Sequence, residues 1–330
     1  MNKGLKFFAS QFIRVFTLLF CVSILAFFLV SICPIDPVAT NVGQAALASM
    51  SPEQIEKLHS YWGTDIPATE RYISWFKDAI RGDLGVSLLY RRPVIEVIGE
   101  KLANSMLILA FAWLFSGIFG FLLGALAGLK RGSLMDKAIS SFSLILASTP
   151  TFWLALIFLM VFSVQLGIFP IGLSVPIGTL AEEVTLWQKI YHGILPALTL
   201  SLLSIANIAM HTREKTIEIM STDYILFAKA RGESDFSIFR NHILRNALLP
   251  AMTLQFASIS EIFGGSVLVE EVFSFPGLGQ AAVRAGLGSD VPLLLGITLI
   301  SAAIVFFGNL IANILYGIID PRIRRGGISR

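Results

Sequence analysis

Residues Phe227 to Pro250 read FAKARGESDFSIFRNHILRNALLP, with Lys229, Arg231, Arg240 and Arg245 interleaved with Glu233 and Asp235. Almost everything on either side is apolar. Of the 330 residues, 55% are hydrophobic and 14% are charged. Soluble domains average about 25% charged residues, so this chain has too few to cover a water-facing surface. That excludes a large soluble enzyme and points to a polytopic membrane protein. A net charge of +3 is no nucleic-acid signature; the location of the charges carries the information.

A helix needs about 20 mostly apolar residues to cross the hydrocarbon core. Six segments qualify, at roughly 12–32, 104–128, 139–165, 194–211, 249–269 and 293–318. All are expected to be helices, because lipid cannot satisfy an exposed backbone and no strand-like alternation appears. Lys3, Lys6 and Arg14 resemble a signal-peptide n-region, but the apolar run after them is too long and no A-x-A site follows. Cleavage is not expected. Cys21 and Cys33 are read as packing residues.

Lys and Arg counts set the orientation. Three lie at the N-terminus, three in 129–138, six in the loop holding the opening stretch and four in the C-terminal tail, against one each in 166–193 and 270–292. The seven in 33–103 count for little, because long loops translocate largely regardless of charge. Both termini and the 212–248 loop are therefore expected in the cytoplasm, and 33–103 outside.

The soluble pieces look structured. Ser51, Pro52 and Gln54 form a capping box with proline at the first helical position. Tyr72, Trp75, Phe76 and Ala79 share one helical face, suited to lying on the membrane or on another helix. The outer loop either meets a soluble partner or caps the ends of the spans. Gly120, Gly124 and Gly128 form overlapping G-x-x-x-G repeats, a packing signal. In the opening stretch, Ser221 or Thr222 is expected to cap a short helix, Gly232 to end it and Pro250 to open the fifth span. Small Ala228 and Ala230 with exposed cations suit a helix that docks into a groove on another protein.

The run FAKARG…HILRNALLP resembles the cytoplasmic coupling loop of ABC importer permeases of the peptide/nickel group. Of the Glu-Ala-Ala that opens the general importer motif, only the final alanine is kept, at Ala228, as is usual for that group. PIDP at 34–37, YWGTDIP at 61–67, GDLGVS at 82–87, RPV at 92–94, VEEVFSFPGLG at 269–279 and DPRIR at 320–324 follow in the family's order. In YWGTDIP, Trp62 and Thr64 stand where the family pattern has leucines. The resemblance implies an all-α polytopic membrane protein of the type I ABC importer fold, with six transmembrane helices and a structured extracytoplasmic loop. It divides the chain into 1–32, 33–103, a five-helix core at 104–318 and a tail at 319–330.

It also implies partners: a homologous second permease, two ATPase subunits inside, a substrate-binding protein outside and membrane lipid, with no nucleic acid. Ala228, Lys229, Ala230, Arg231, Gly232 and Glu233 would couple to an ATPase. Trp62, Asp65, Trp75 and Asp83 would serve binding-protein docking. The setting would be the bacterial inner membrane. No cofactor is expected in this chain, since ATP and magnesium would sit on the ATPases. The dipeptide Gly-Lys never occurs, so the chain has no phosphate cradle of its own and is not read as an enzyme.

Glu261 is the one ionisable side chain clearly inside a span. Translocon scales put a mid-span acid at about 2.5 to 3.5 kcal/mol, so such a residue usually faces a polar cavity. It is expected either to line the path with Asn207, Gly264 and Gly265 and favour a cationic substrate, or to bond Asn207, Asn309 or a serine. Two segments, SEIFGGSVLVEEVF and FWLALIFLMVFSV, look more like nickel-importer permeases, so the substrate lean is nickel or a metal chelate. The alternative is a di- or oligopeptide. A secondary transporter would need coupling carboxylates repeated in two inverted halves; no second copy of any motif is evident. A membrane-embedded enzyme would need paired catalytic groups at one depth, and none is found.

Overall fold

The computed structural model describes residues 3–32, 44–61, 66–176, 178–179 and 184–319. Among the described residues the chain is helical, with a single isolated antiparallel bridge between Val86 and Pro93. The helices are α1 (Lys3–Ile32), α2 (Gln44–Ala48), α3 (Pro52–Tyr61), α4 (Ala68–Ile80), α5 (Val94–Leu129), α6 (Leu134–Ala147) and α7 (Thr151–Phe158). They continue with α8 (Leu186–Met220), α9 (Asp223–Ala230), α10 (Asp235–Ile238), α11 (Leu244–Val272), α12 (Leu278–Leu287) and α13 (Val291–Ile319). Wider π-helical turns follow α7 at Leu159–Gln165 and α10 at Phe239–Ile243. The landmarks at 34–37 and 320–324, with Cys33, lie outside the described residues.

Among the described residues, five helices are long and apolar enough to cross a membrane, and a bent pair makes up to six. The expected third span, 139–165, is that pair rather than one rod. Helix α6 and the segment Thr151–Gln165 meet at 109°. Pro150 is the physical reason: its ring disfavours helical backbone at Thr149, and Pro150 itself stands extended at ψ 136° as the N-cap of α7. The fifth span also differs. Pro250 lies inside α11 instead of opening it. Proline removes one donor but its φ is helical, and buried Ala247 and Ala251 on either side hold the helix in place.

The chain packs as two units. The first comprises Met1–Ser105 and Pro276–Phe307. Here the capping box of α3 forms as expected: Gln54 N donates to Ser51 Oγ at 3.3 Å and Ser51 N to Gln54 Oε1 at 2.9 Å. Helix α4 lies on α1 through its aromatic face. Tyr72 stacks on Phe76 at 5.7 Å, and both Tyr72 and Trp75 meet the ring of Phe27. Tyr72 Oη and Ser23 Oγ are 2.9 Å apart. Cys21 is exposed on α1, so it is not buried in this packing. Asp290, fully buried, pins the 83–93 turn. It accepts from Ser87 Oγ at 2.5 Å and Leu89 N at 3.0 Å while capping α13 through Leu293 N.

The second unit comprises Met106–Phe275 and Gly308–Arg330. Its centre is the pairing of α8 with α5 and α11. The glycine stripe of α5 lies directly on α8. A Cβ at Gly120 would sit 2.8 Å from Ile208 Cβ, one at Gly128 2.5 Å from Thr216 Cβ, and one at Gly124 would overlap Ala209 O. Small residues let the backbones approach this closely. Across α5 and α11, Trp113 Nε1 donates to Gln255 O at 2.8 Å and Gln255 Nε2 donates back to Trp113 O. Buried polar groups in lipid must be paired internally, and this reciprocal pair does so.

Candidate functional site

The opening stretch folds as a compact hairpin of short helices at the end of α8. Ser221 caps α8, its amide reaching Ile217 O at 3.2 Å. Thr222 occupies the N-cap position of α9, but its hydroxyl donates to Ile219 O at 2.6 Å and makes no cap. Side-chain capping by Ser221 or Thr222 is thus not what starts this helix. Its first turn carries Asp223, favourable to the helix dipole. Gly232 ends the helix as expected, at φ +82°, with Gly232 N on Lys229 O and Glu233 N on Ala228 O. The left-handed conformation and the long return bond are the C-terminal pattern that glycine serves. Ser234 then caps α10 by accepting from Ser237 N at 3.3 Å.

The hairpin has a dry inner face. Ile225 and Ala228 of α9 pack with Ile238, Ile243 and Ala247 against Ile219, Ile208 and Phe121. Ala228, read from sequence as a docking residue, therefore faces its own chain. Outward lie Lys229, Ala230, Arg231 and Gly232, together with Leu226 and Phe227, 69% and 66% exposed, and Phe236, 71% exposed. Sequence reasoning missed Leu226 and Phe227. The available signal was that Ile225, Leu226, Phe227 and Ala228 are apolar on all sides of an eight-residue helix, more than one buried face requires. The Arg231 guanidinium lies 5.9 Å from the centre of the Phe227 ring.

Glu233 is half-buried behind this surface. Its carboxylate accepts from Arg231 Nη2 at 2.8 Å and Ser237 Oγ at 3.1 Å, and lies 3.3 Å from His242 Nε2. Partial burial raises its pKa, but hydrogen bonds from Ser237, His242 and Arg231 together outweigh that and hold the carboxyl below its usual range.

A second cluster lies on α8, α11 and α13 within the same unit. Glu261 is exposed, and Asn207 Nδ2 reaches its Oε1 at 3.5 Å. Ser260 Oγ donates to Asn309 Oδ1 at 2.9 Å. The expected contact with Asn207 is present but long, and Asn309 is engaged by Ser260. Beside them Gly264 is exposed and a Cβ there would meet nothing within 4 Å, whereas Gly265 makes only ordinary contact with Leu200. Gly264 therefore widens a polar surface and does not bring two helices together. An exposed carboxylate and two amides on apolar helices suit a water-filled cavity rather than lipid.

Of the four residues expected to dock a binding protein, two are described. Trp62 and Asp65 lie outside the described residues. Trp75 packs on Phe27, its Nε1 buried without a hydrogen-bond partner. Asp83 is exposed and accepts from Gly85 N at 2.8 Å.

Comparison with known proteins identifies the family. Residues 120–325 match the family described as the binding-protein-dependent transport system inner membrane component, and residues 4–106 match its N-terminal region. The oligopeptide transport system permease protein AppB of Bacillus subtilis is 35% identical, covering 92% of this chain and 94% of its own length. The di/tripeptide transport system permease protein DppB of Pseudomonas aeruginosa is 33% identical, covering 97% and 99%. A putative peptide transport system permease protein of Brucella abortus is 35% identical, covering 92% and 94%. The chain belongs to the inner membrane components of binding-protein-dependent transport systems, as an ABC importer permease of the peptide/nickel group.

Proposed function

We propose that this chain carries di- or oligopeptides across the cytoplasmic membrane as one of two permeases in an ATP-driven importer. The substrate reading rests on its relatives. AppB and DppB are peptide permeases and align over nearly the full chain, which favours peptides over nickel or a metal chelate. Glu261, Asn207 and Gly264 line the path, with Gly265 behind them. A carboxylate there attracts the ammonium terminus of a peptide, and its exposure on an apolar helix is the observation that carries this assignment.

The 223–243 hairpin faces the cytoplasm, as do both termini, and docks into an ATPase subunit. Leu226, Phe227, Ala230 and Phe236 supply the apolar contact; Lys229 and Arg231 supply charge around the Gly232 turn. Ala228 and Glu233 support that surface from behind. The 33–103 region lies outside, and Trp62, Asp65, Trp75 and Asp83 belong to the side that receives the binding protein. ATP and magnesium are bound by the partner ATPases.

The test is uptake by the complete importer in proteoliposomes, offered radiolabelled dialanine or radioactive nickel, each with the other as competitor. Dialanine uptake that needs ATP, resists excess nickel and falls at least about fivefold in Glu261→Gln supports the reading. Nickel uptake that dialanine does not inhibit overturns the peptide assignment. Unchanged dialanine uptake in Glu261→Gln returns that residue to packing.

A further inference from the structure

The hairpin's docking face is joined to α11 by the apolar core beneath it and, on the polar side, by a chain of contacts centred on Glu233. Gly232 alone would make a soft connection. Its φ of +82° is held only by the backbone bonds that end α9, and no atom lies within 4 Å of where its side chain would be. Glu233 bridges this gap. On one side it takes Arg231, whose guanidinium lies over Phe227 of the docking face. On the other it takes Ser237 of α10 and His242 of the π turn. Asn241 Nδ2 donates to Ser237 Oγ at 3.1 Å, and the His242 ring lies 6.0 Å from that of Tyr224, back on α9. The π turn runs without a break into α11, which carries Glu261.

We infer that Glu233 is a positioning residue for coupling, a clasp that makes α9 and the start of α11 move as one body. This rests on the hairpin being the ATPase-docking element. The clasp spans residues 224 to 242 and has three donors on one carboxylate, so no single flanking contact replaces it. Hydrogen bonds to an ionised acceptor are about twice as strong as neutral ones, so the charge as well as the shape of Glu233 contributes. When an ATPase displaces the Phe227 surface, the clasp carries that displacement past the glycine into the helix that lines the path. Without it, only the apolar contacts beneath α9 remain to carry the motion, and the turn absorbs part of it.

The experiment uses the complete importer in proteoliposomes and reads dialanine imported per ATP hydrolysed, with ATPase retention on the purified complex measured alongside. Glu233→Leu should keep its ATPase subunits and lower the transport ratio at least about fivefold, the lower end of typical coupling energies. Glu233→Gln, which keeps an acceptor oxygen but not the charge, should fall between. His242→Leu should lower the ratio too, and combining it with Glu233→Leu should lower it no further. A transport ratio unchanged in Glu233→Leu overturns the clasp. So does loss of the ATPase subunits in that variant alone, which would make Glu233 a docking contact. If the wild-type permease itself retains no ATPase, the docking assignment fails instead, and that arm is read before any variant.

Discussion

Arg213 at the end of α8 and Asp136 at the start of α6 form a bidentate pair, Nε to Oδ1 at 2.5 Å and Nη2 to Oδ2 at 2.9 Å. Asp136 is 2% exposed and also accepts from Gly132 N at 2.8 Å and Ser140 Oγ at 3.3 Å. Removing Arg213 therefore leaves a buried carboxylate with two of its four donors. Breaking a buried pair from one side typically costs about 3–5 kcal/mol. The two remaining donors, and partial solvent access at Arg213, place Arg213→Met at the low end, about 3 kcal/mol. Asp136→Asn keeps a carbonyl for Gly132 and frees an arginine that can reach water, so its cost is about 1–2 kcal/mol. The decisive variant is the double. With no unpaired buried charge, Asp136→Asn should partly rescue Arg213→Met, a coupling of about 2 kcal/mol. Detergent-solubilised permease titrated with SDS and followed by circular dichroism gives the four stabilities. If the double variant falls at the sum of the singles, within about 0.5 kcal/mol, the pair is not the buried unit described and the reasoning fails. Arg213 lies one short stretch before Ser221, so the same variant tests how firmly the base of the hairpin is held.

Other outcomes follow from single contacts. Gly232→Ala has room for its methyl but must hold φ +82°, so it should cost about 1 kcal/mol; Gly232→Val should cost more and Gly232→Asn less, and equal thermal stabilities across the series would contradict the left-handed turn. Gly124→Leu drives a side chain into Ala209 O and should destabilise by about 3 kcal/mol or more, since overpacking alone costs about 1–3; normal folding yield and SDS resistance would show that α5 and α8 are not in contact there. The clasp predicts a pH dependence as well. Glu233 has its folded pKa lowered below the ordinary glutamate value of 4.5, so its stabilisation is complete above that value and is lost as pH falls through the folded pKa. Hydrogen exchange at amides 232–238, corrected for intrinsic rates, should show protection falling in acid in the wild type and not in Glu233→Gln; the same acid step in both would assign it to another group.

The hairpin shows where sequence reading holds and where it stops. Gly232 could be read as a helix end because only a left-handed turn asks for glycine between two short helical patterns, and that preference is local. Ser51 with Gln54 was legible for the same reason, since every bond of a capping box lies within four residues. The glycine stripe at 120, 124 and 128 announced a close helix contact, because spacing alone puts three missing side chains on one face. The identity of the partner helix, α8, was not in that spacing.

What required the tertiary structure is what depends on residues far apart in the chain. Pro250 carries a strong local signal for a helix start, and buried Ala247 and Ala251 override it. Pro150 sent the opposite message, and there the local preference prevailed and broke a span in two. Asp290 reads locally as a cap for α13, yet its other bonds reach back 203 and 201 residues to Ser87 and Leu89. Ala228 and Phe227 are neighbours of similar apolarity, and only packing turns one inward and the other outward. By itself, then, the sequence determined the membrane class, the helical segments, the family and the place of the Gly232 turn, because composition, periodicity and glycine conformation are properties of short stretches. Which face of each helix is free, and which carboxylates are clasped or open, was decided by the fold, because solvent exposure and ion pairing depend on what the rest of the chain brings alongside.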